Sequence, residues 1–204
     1  VVLADTEETW RDIFRQRGES YAPPVLVLFD ASTQSACGVG RAEVGPFYCP
    51  ADRKVYLDLS FFRELDQRFG APGDFAQAYV VAHEVGHHVQ NVLGTSDSVA
   101  AAQARSDDRR SNALSVRLEL QADCYGGVWG HYAAQHGLLE PGDAEEGLMA
   151  AAAIGDDRLQ QMARGEVVPE SFTHGSSADR VGWLRRGLGS GSIESCNTFA
   201  SDTN

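Results

Sequence analysis

Residues 74–94 read DFAQAYVVAHEVGHHVQNVLG, and their pattern decides the fold. Asp74, just after Pro72, opens a helix, and Gly94 supplies its stop, so the spacing predicts one long helix from Asp74 to Leu93. Within it stands Val81-Ala82-His83-Glu84-Val85-Gly86-His87. At 3.6 residues per turn, His83 and His87 lie one above the other on a single face. Both imidazoles can then reach one tetrahedral zinc at about 2.0–2.1 Å. Glu84 projects beside such a metal rather than onto it, where it can take a proton from a zinc-activated water.

Two histidines leave a zinc ion one protein ligand short. A third histidine farther along the same helix is excluded, because Gln90 and Leu93 occupy the places where a glycine and that histidine would stand. A second long helix, predicted from Asn112 to His136, offers Arg117-Leu118-Glu119-Leu120-Gln121-Ala122-Asp123. Glu119 and Asp123 are spaced i, i+4 and share a face. Glu119 is the candidate third ligand. Asp123, one turn on, is placed to bind the outer nitrogen of a zinc histidine, His83, and so fix its tautomer. The plain alternative is a solvated helix that carries two acids. Against it, Leu118, Leu120, Ala122, Cys124, Gly126, Gly127, Val128 and Trp129 make the helix otherwise apolar and small, and acids in such company want partners.

Working outward, 204 residues suit a single domain. The 29 acidic residues against 17 basic ones, a net charge of -12, argue against nucleic acid as a partner. Asp5, with Glu8, is placed to cap an N-terminal helix within residues 1–20 that ends at Gly18, and Trp10, Ile13 and Phe14 give it a core-facing stripe. Val25 to Phe29 reads as a buried strand. Strands around Val44 to Tyr48 and Val55 to Leu57 follow, joined by a hairpin tip at Ala51-Asp52-Arg53. Helices then take over: Ser60 caps Phe61 to Phe69, another helix follows Pro141-Gly142-Asp143 with a buried run from Met149 to Ile154, and a last one spans Ser176 to Leu188. Residues 189–204 form a Gly/Ser-rich tail. Strands first and helices afterwards predict an α+β domain with one small antiparallel sheet packed against the active helix and its neighbours. The four cysteines, Cys37, Cys49, Cys124 and Cys196, fit disulfides in an oxidising compartment; free buried thiols are the alternative, and zinc knuckles of the Cys-x-x-Cys kind are absent.

The two helical motifs together resemble the gluzincin pattern. The surrounding words are similar to the neutral zinc metallopeptidases of bacteria: Cys37-Gly38, Gly45-Pro46-Phe47-Tyr48-Cys49-Pro50, Val55-Tyr56-Leu57-Asp58, Ala82 to Gln90, Glu119 to Cys124 and Phe172-Thr173-His174-Gly175-Ser176-Ser177. The matches run from about Cys37 to Cys196. The resemblance implies a zincin-like fold, a bound Zn2+ ion, and a peptidase that acts on peptide or protein substrates. It also implies a membrane segment ahead of this domain in full-length relatives. The opening Val1-Val2-Leu3 is accordingly read as the trace of a removed anchor, and the domain is expected outside the cytoplasm. In its light the cysteines read as two staples, Cys37–Cys49 around one strand turn and Cys124–Cys196 tying the tail to the Glu119 helix.

A peptidase also needs a donor for the oxyanion. His174 is the candidate, with capping of the following helix as its other reading. Arg180 is expected to be a salt-bridge partner of Asp123 or Glu119. Gly45 to Tyr48 is either a substrate-binding edge strand or an ordinary hairpin edge. Tyr48 and Tyr56 are read as packing residues, His88 as a surface or supporting residue, and His131 and His136 as surface residues. Retention of Glu84 favours a catalyst over a zinc-stabilised scaffold without turnover. The lack of a Gly-x-Met-Glu-Asn motif favours an endopeptidase over an aminopeptidase.

Overall fold

The computed structural model describes residues 1–41 and 45–200. Five strands and eight helices follow one another in an α+β order: α1 (Val2–Gln16), β1 (Val25–Phe29), β2 (Ser32–Ser35), β3 (Gly38–Arg41), β4 (Phe47–Cys49), β5 (Lys54–Asp58), α2 (Leu59–Gln67), α3 (Asp74–Val92), α4 (Thr95–Gln103), α5 (Asp108–Gln135), α6 (Asp143–Ala153), α7 (Asp156–Arg164) and α8 (Ser177–Ser190). The expected strand at Val44 begins outside the described residues and is seen from Phe47 onward.

The sheet is mixed rather than purely antiparallel. Its order is β1-β5-β4, with β5 antiparallel to β4 across the Ala51–Arg53 tip but parallel to β1. The reason is the chain path: β2 and β3 form a separate antiparallel hairpin after β1, so β5 returns along β1 in the same sense. As an edge strand β1 is not buried; Val25 and Leu28 are more than half exposed, and only Phe29 is covered.

The core forms where α1, α3, α5 and β5 meet. Trp10, Ile13 and Phe14, the predicted stripe of α1, pack with Val55, Leu57, Val85, Val89, Tyr125 and Val128. Asp5 does not cap α1, because the helix already starts at Val2. Its buried carboxylate instead accepts hydrogen bonds from Trp129 Nε1 (2.7 Å) and His136 Nδ1 (2.6 Å), locking α1 to α5. Likewise Asp58, not Ser60, caps α2, accepting from the Ser60 N–H at 2.9 Å. On α6 the alanines 150, 151 and 153 are buried, while Met149 is about half exposed, so the run has an outer face.

Close helix contacts rest on missing side chains. A Cβ on Gly86 of α3 would lie 2.9 Å from the Ala122 carbonyl oxygen of α5. Gly127 of α5 and Gly187 of α8 face each other so tightly that a Cβ on either would overlap the partner backbone, at Leu184 O and Cys124 O respectively. Only glycine permits this approach. It sets α5 between α3 and α8. Two disulfides, Cys37–Cys49 and Cys124–Cys196, complete the frame, and the second draws a 3-10 turn at Ile193–Cys196 onto α5. No helix among the described residues is long and apolar enough to cross a membrane.

Candidate metal centre

The α3–α5 crossing brings three predicted residues together. His83 Nε2 and His87 Nε2 are 3.2 Å apart, and Glu119 places one carboxylate oxygen 3.2 Å from the first and the other 3.4 Å from the second. Ligands at about 2.0–2.1 Å around a tetrahedral ion stand about 3.3–3.4 Å from one another, so this triangle has the size of three zinc ligands. The outer nitrogens strengthen that fit. His83 Nδ1 donates to Asp123 Oδ1 (2.8 Å), and His87 Nδ1 donates to Gln90 Oε1 (2.9 Å). In the neutral rings both Nε2 lone pairs therefore point at one another and at a carboxylate. A proton on one of the rings, or a cation shared between them, reconciles such an arrangement.

The electrostatics agree. Burial disfavours charge on His83, but the Asp123 and Glu119 carboxylates outweigh it and push its pKa up to about 10. Burial likewise opposes ionisation of Glu119, yet the two histidines hold its carboxyl well below the usual range. The pocket thus carries a negative field that attracts a proton or a metal cation. Glu84, buried on α3 beside the histidines, has its carboxyl pushed up from the ordinary value by that burial, with the histidines pulling the other way.

Asp123 sits at the centre of a buried network. Besides His83 it accepts from Tyr79 OH (2.6 Å) and from Arg180 through Nε and Nη2 (2.9 Å each). Arg180, brought in by α8, is 3% exposed and also donates to the Tyr79 hydroxyl at 3.1 Å. Its partner is thus Asp123, one of the two expected. Burial favours the neutral acid, but Arg180 and His83 hold the Asp123 carboxyl down to about 2. Tyr79 was not among the expected site residues, although its place four residues before His83 on the same helix face is a usable signal.

His174 lies in the loop before α8. Gly175 rests against Leu120 and Val116 of α5, next to the Glu119 turn, and His174 is within electrostatic reach of Glu119 and Arg180. The loop is held by a carboxylate that no sequence motif marks. Asp156, at the start of α7, accepts three consecutive backbone N–H groups on Oδ2, from Thr173 (2.7 Å), His174 (2.7 Å) and Gly175 (3.1 Å). Its Oδ1 faces His174 Nδ1 at 3.2 Å, which raises the His174 pKa. Ser176, not His174, caps α8 through its hydroxyl. Of the two readings of His88 the surface one falls: the ring is fully buried, bonded to the Ala22 carbonyl (2.7 Å) and to the Tyr48 hydroxyl (3.0 Å). Tyr48, which also accepts from Asn91, packs β4 onto α3, and Tyr56 stacks on Phe47.

The sequence profile of the family described as "Putative neutral zinc metallopeptidase" matches residues 1–199. Among curated proteins, "Uncharacterized protein YpfJ" of Escherichia coli strain K12 is 55% identical over 199 residues, which is 98% of this chain and 69% of that protein. "Uncharacterized protein Rv2575" of Mycobacterium tuberculosis strain H37Rv is 44% identical over 192 residues, 89% of this chain and 64% of that protein. No solved structure matches. A match that spans nearly the whole chain, together with relatives of this identity, means that the chain belongs to the family described as putative neutral zinc metallopeptidases.

Proposed function

We propose that the protein is a zinc-dependent endopeptidase whose metal is held by His83, His87 and Glu119. The observation that carries this reading is the 3.2–3.4 Å triangle of His83 Nε2, His87 Nε2 and the Glu119 carboxylate, with Glu84 beside it. A zinc ion held there would act as a Lewis acid, polarising a peptide carbonyl and lowering the pKa of a water to about 7. The chain's own residues do the rest. Asp123 keeps the His83 proton on Nδ1, so that Nε2 stays free to bind. Arg180 and Tyr79 hold Asp123 in place from the far side. Glu84 takes a proton from the attacking water as its oxygen bonds to the carbonyl carbon. It then delivers that proton to the amine nitrogen as the C–N bond breaks. A carboxyl raised by burial is suited to both duties. His174, whose Nδ1 is engaged by Asp156, keeps Nε2 available to donate to the charge that builds on the carbonyl oxygen. The edge strand β4, anchored to α3 through Tyr48, aligns an extended peptide over the helix. The two disulfides suit work in an oxidising, extracytoplasmic compartment.

The test is cleavage of casein or of a quenched peptide with a blocked N-terminus. Cleavage should stop with a chelator and return with zinc. Glu84→Gln should stay folded and zinc-loaded yet inactive, and His174→Ala should turn over ~10²-fold more slowly at unchanged zinc content. Full activity in Glu84→Gln overturns the mechanism. Zinc bound by the wild type without cleavage of any peptide leaves the scaffold reading instead.

A further inference from the structure

His83 and His87 are oriented by different chemistry. The first leans on the charged Asp123, whereas the second leans on a neutral amide, and that amide heads a buried chain of donors and acceptors. Gln90 is fully buried. Its Oε1 accepts from His87 Nδ1 (2.9 Å), and its Nε2 donates to the Leu118 carbonyl (2.6 Å) and to Gln121 Oε1 (3.1 Å). Gln121, also buried, donates from Nε2 to the carbonyl of Cys196 (3.0 Å). Cys196 is bonded to Cys124, three residues beyond Gln121 on α5.

The direction of this chain is forced from its far end. A backbone carbonyl can only accept, so Gln121 must turn its NH2 group to Cys196 and its oxygen to Gln90. Gln90, facing two acceptors, must turn its NH2 group to them and its oxygen to His87. His87 must then carry its proton on Nδ1, which leaves Nε2 bare at the metal position. A flipped Gln90 would set its carbonyl against two other oxygens and offer a donor to His87, which favours the wrong tautomer. We propose that Gln90 is the positioning residue for His87, and that Gln121 and the Cys124–Cys196 disulfide fix its orientation, so that this disulfide tunes metal affinity. The proposal rests on the zinc reading above and extends it to residues outside the ligand set. It also separates the two disulfides. Cys37–Cys49 ties the β2–β3 hairpin to β4 and has no bond into this chain.

The experiment measures zinc affinity by chelator competition, alongside the thermal midpoint of the zinc-free protein. Gln90→Met and Gln121→Met keep side-chain length and remove the amide. Each should weaken zinc binding, by about tenfold for Gln90→Met, at temperatures where circular dichroism shows an intact fold. Cys124→Ala/Cys196→Ala should weaken zinc binding as well, while Cys37→Ala/Cys49→Ala should leave it unchanged, even if both lower the midpoint. Wild-type affinity in a folded Gln90→Met variant overturns the positioning role. Equal affinities in the two disulfide variants overturn the link to Cys124–Cys196, and this comparison decides the matter if the glutamine variants do not fold. A wild-type protein whose zinc binding is indifferent to His87→Ala overturns the metal-centre reading itself, a result distinct from either of these.

Discussion

Asp156 shows what one carboxylate does for a loop. Burial raises its pKa, but the His174 ring and the N–H groups of residues 173–175 outweigh that and hold its carboxyl below the usual range. A lowered folded pKa contributes stability that is present above the unfolded value, near 4, and is lost as the pH falls through the folded value. Asp156→Asn should therefore cost about 1–3 kcal/mol at neutral pH, and the gap to the wild type should narrow as the pH falls below about 4. Urea midpoints measured from pH 7 down to pH 3 check this; a gap that stays constant over that range contradicts it. Residues of this kind hide in a sequence. His83, Glu84 and His87 are legible because one helix fixes their spacing, and Glu119 with Asp123 follow from a second. Asp156 and Tyr79 meet their partners only through tertiary contact, 18 residues along the chain for Asp156 and His174 and 44 for Tyr79 and Asp123, whereas Gln90 reaches His87 within α3 but takes its orientation from Leu118 and Gln121 of α5.

Among the elements, α3, α5 and α8 form the scaffold, and the glycines at their crossings set its dimensions. Gly127→Ala should push a methyl into α8, where Leu188 N would stand 2.8 Å away and Gly187 Cα 3.0 Å, at a cost of about 1–3 kcal/mol. Gly182→Ala, on the outer side of α8 with nothing within 4 Å, should stabilise the protein by up to about 1 kcal/mol. Chemical denaturation of the two variants gives opposite signs if close helix packing governs; equal midpoints contradict it. The long helices were readable from their stops, since the Asp74 start and the Gly94 and Gly137 ends stand where the chain places them, but α5 begins at Asp108 on an Asp107 cap, four residues before the expected Asn112. The parallel pairing of β1 was not, because strand direction depends on where the chain travels between strands rather than on alternation within them. α7 was also missed: its one-sided pattern is mostly polar, so its periodicity gives a weak core signal.

At the scale of the whole molecule, the architecture converges on one place. α1 buttresses α5 through Asp5 and Trp129, α5 carries Glu119 and Asp123 to α3, α8 returns Arg180, and the tail is stapled back beside Gln121. The cysteine count and the α+β order pointed to this stapled frame, whereas the net charge of -12 gave no hint that a strong field is concentrated around two histidines. We propose that these elements together hold one zinc ion on His83, His87 and Glu119. Zinc K-edge X-ray absorption on the purified protein tests it most directly. One zinc per chain is expected, with four nitrogen and oxygen neighbours at about 2.0–2.1 Å, two of them imidazoles, and with that signal lost in Glu119→Ala. A sulfur shell near 2.3 Å, or an identical spectrum in Glu119→Ala, would contradict it.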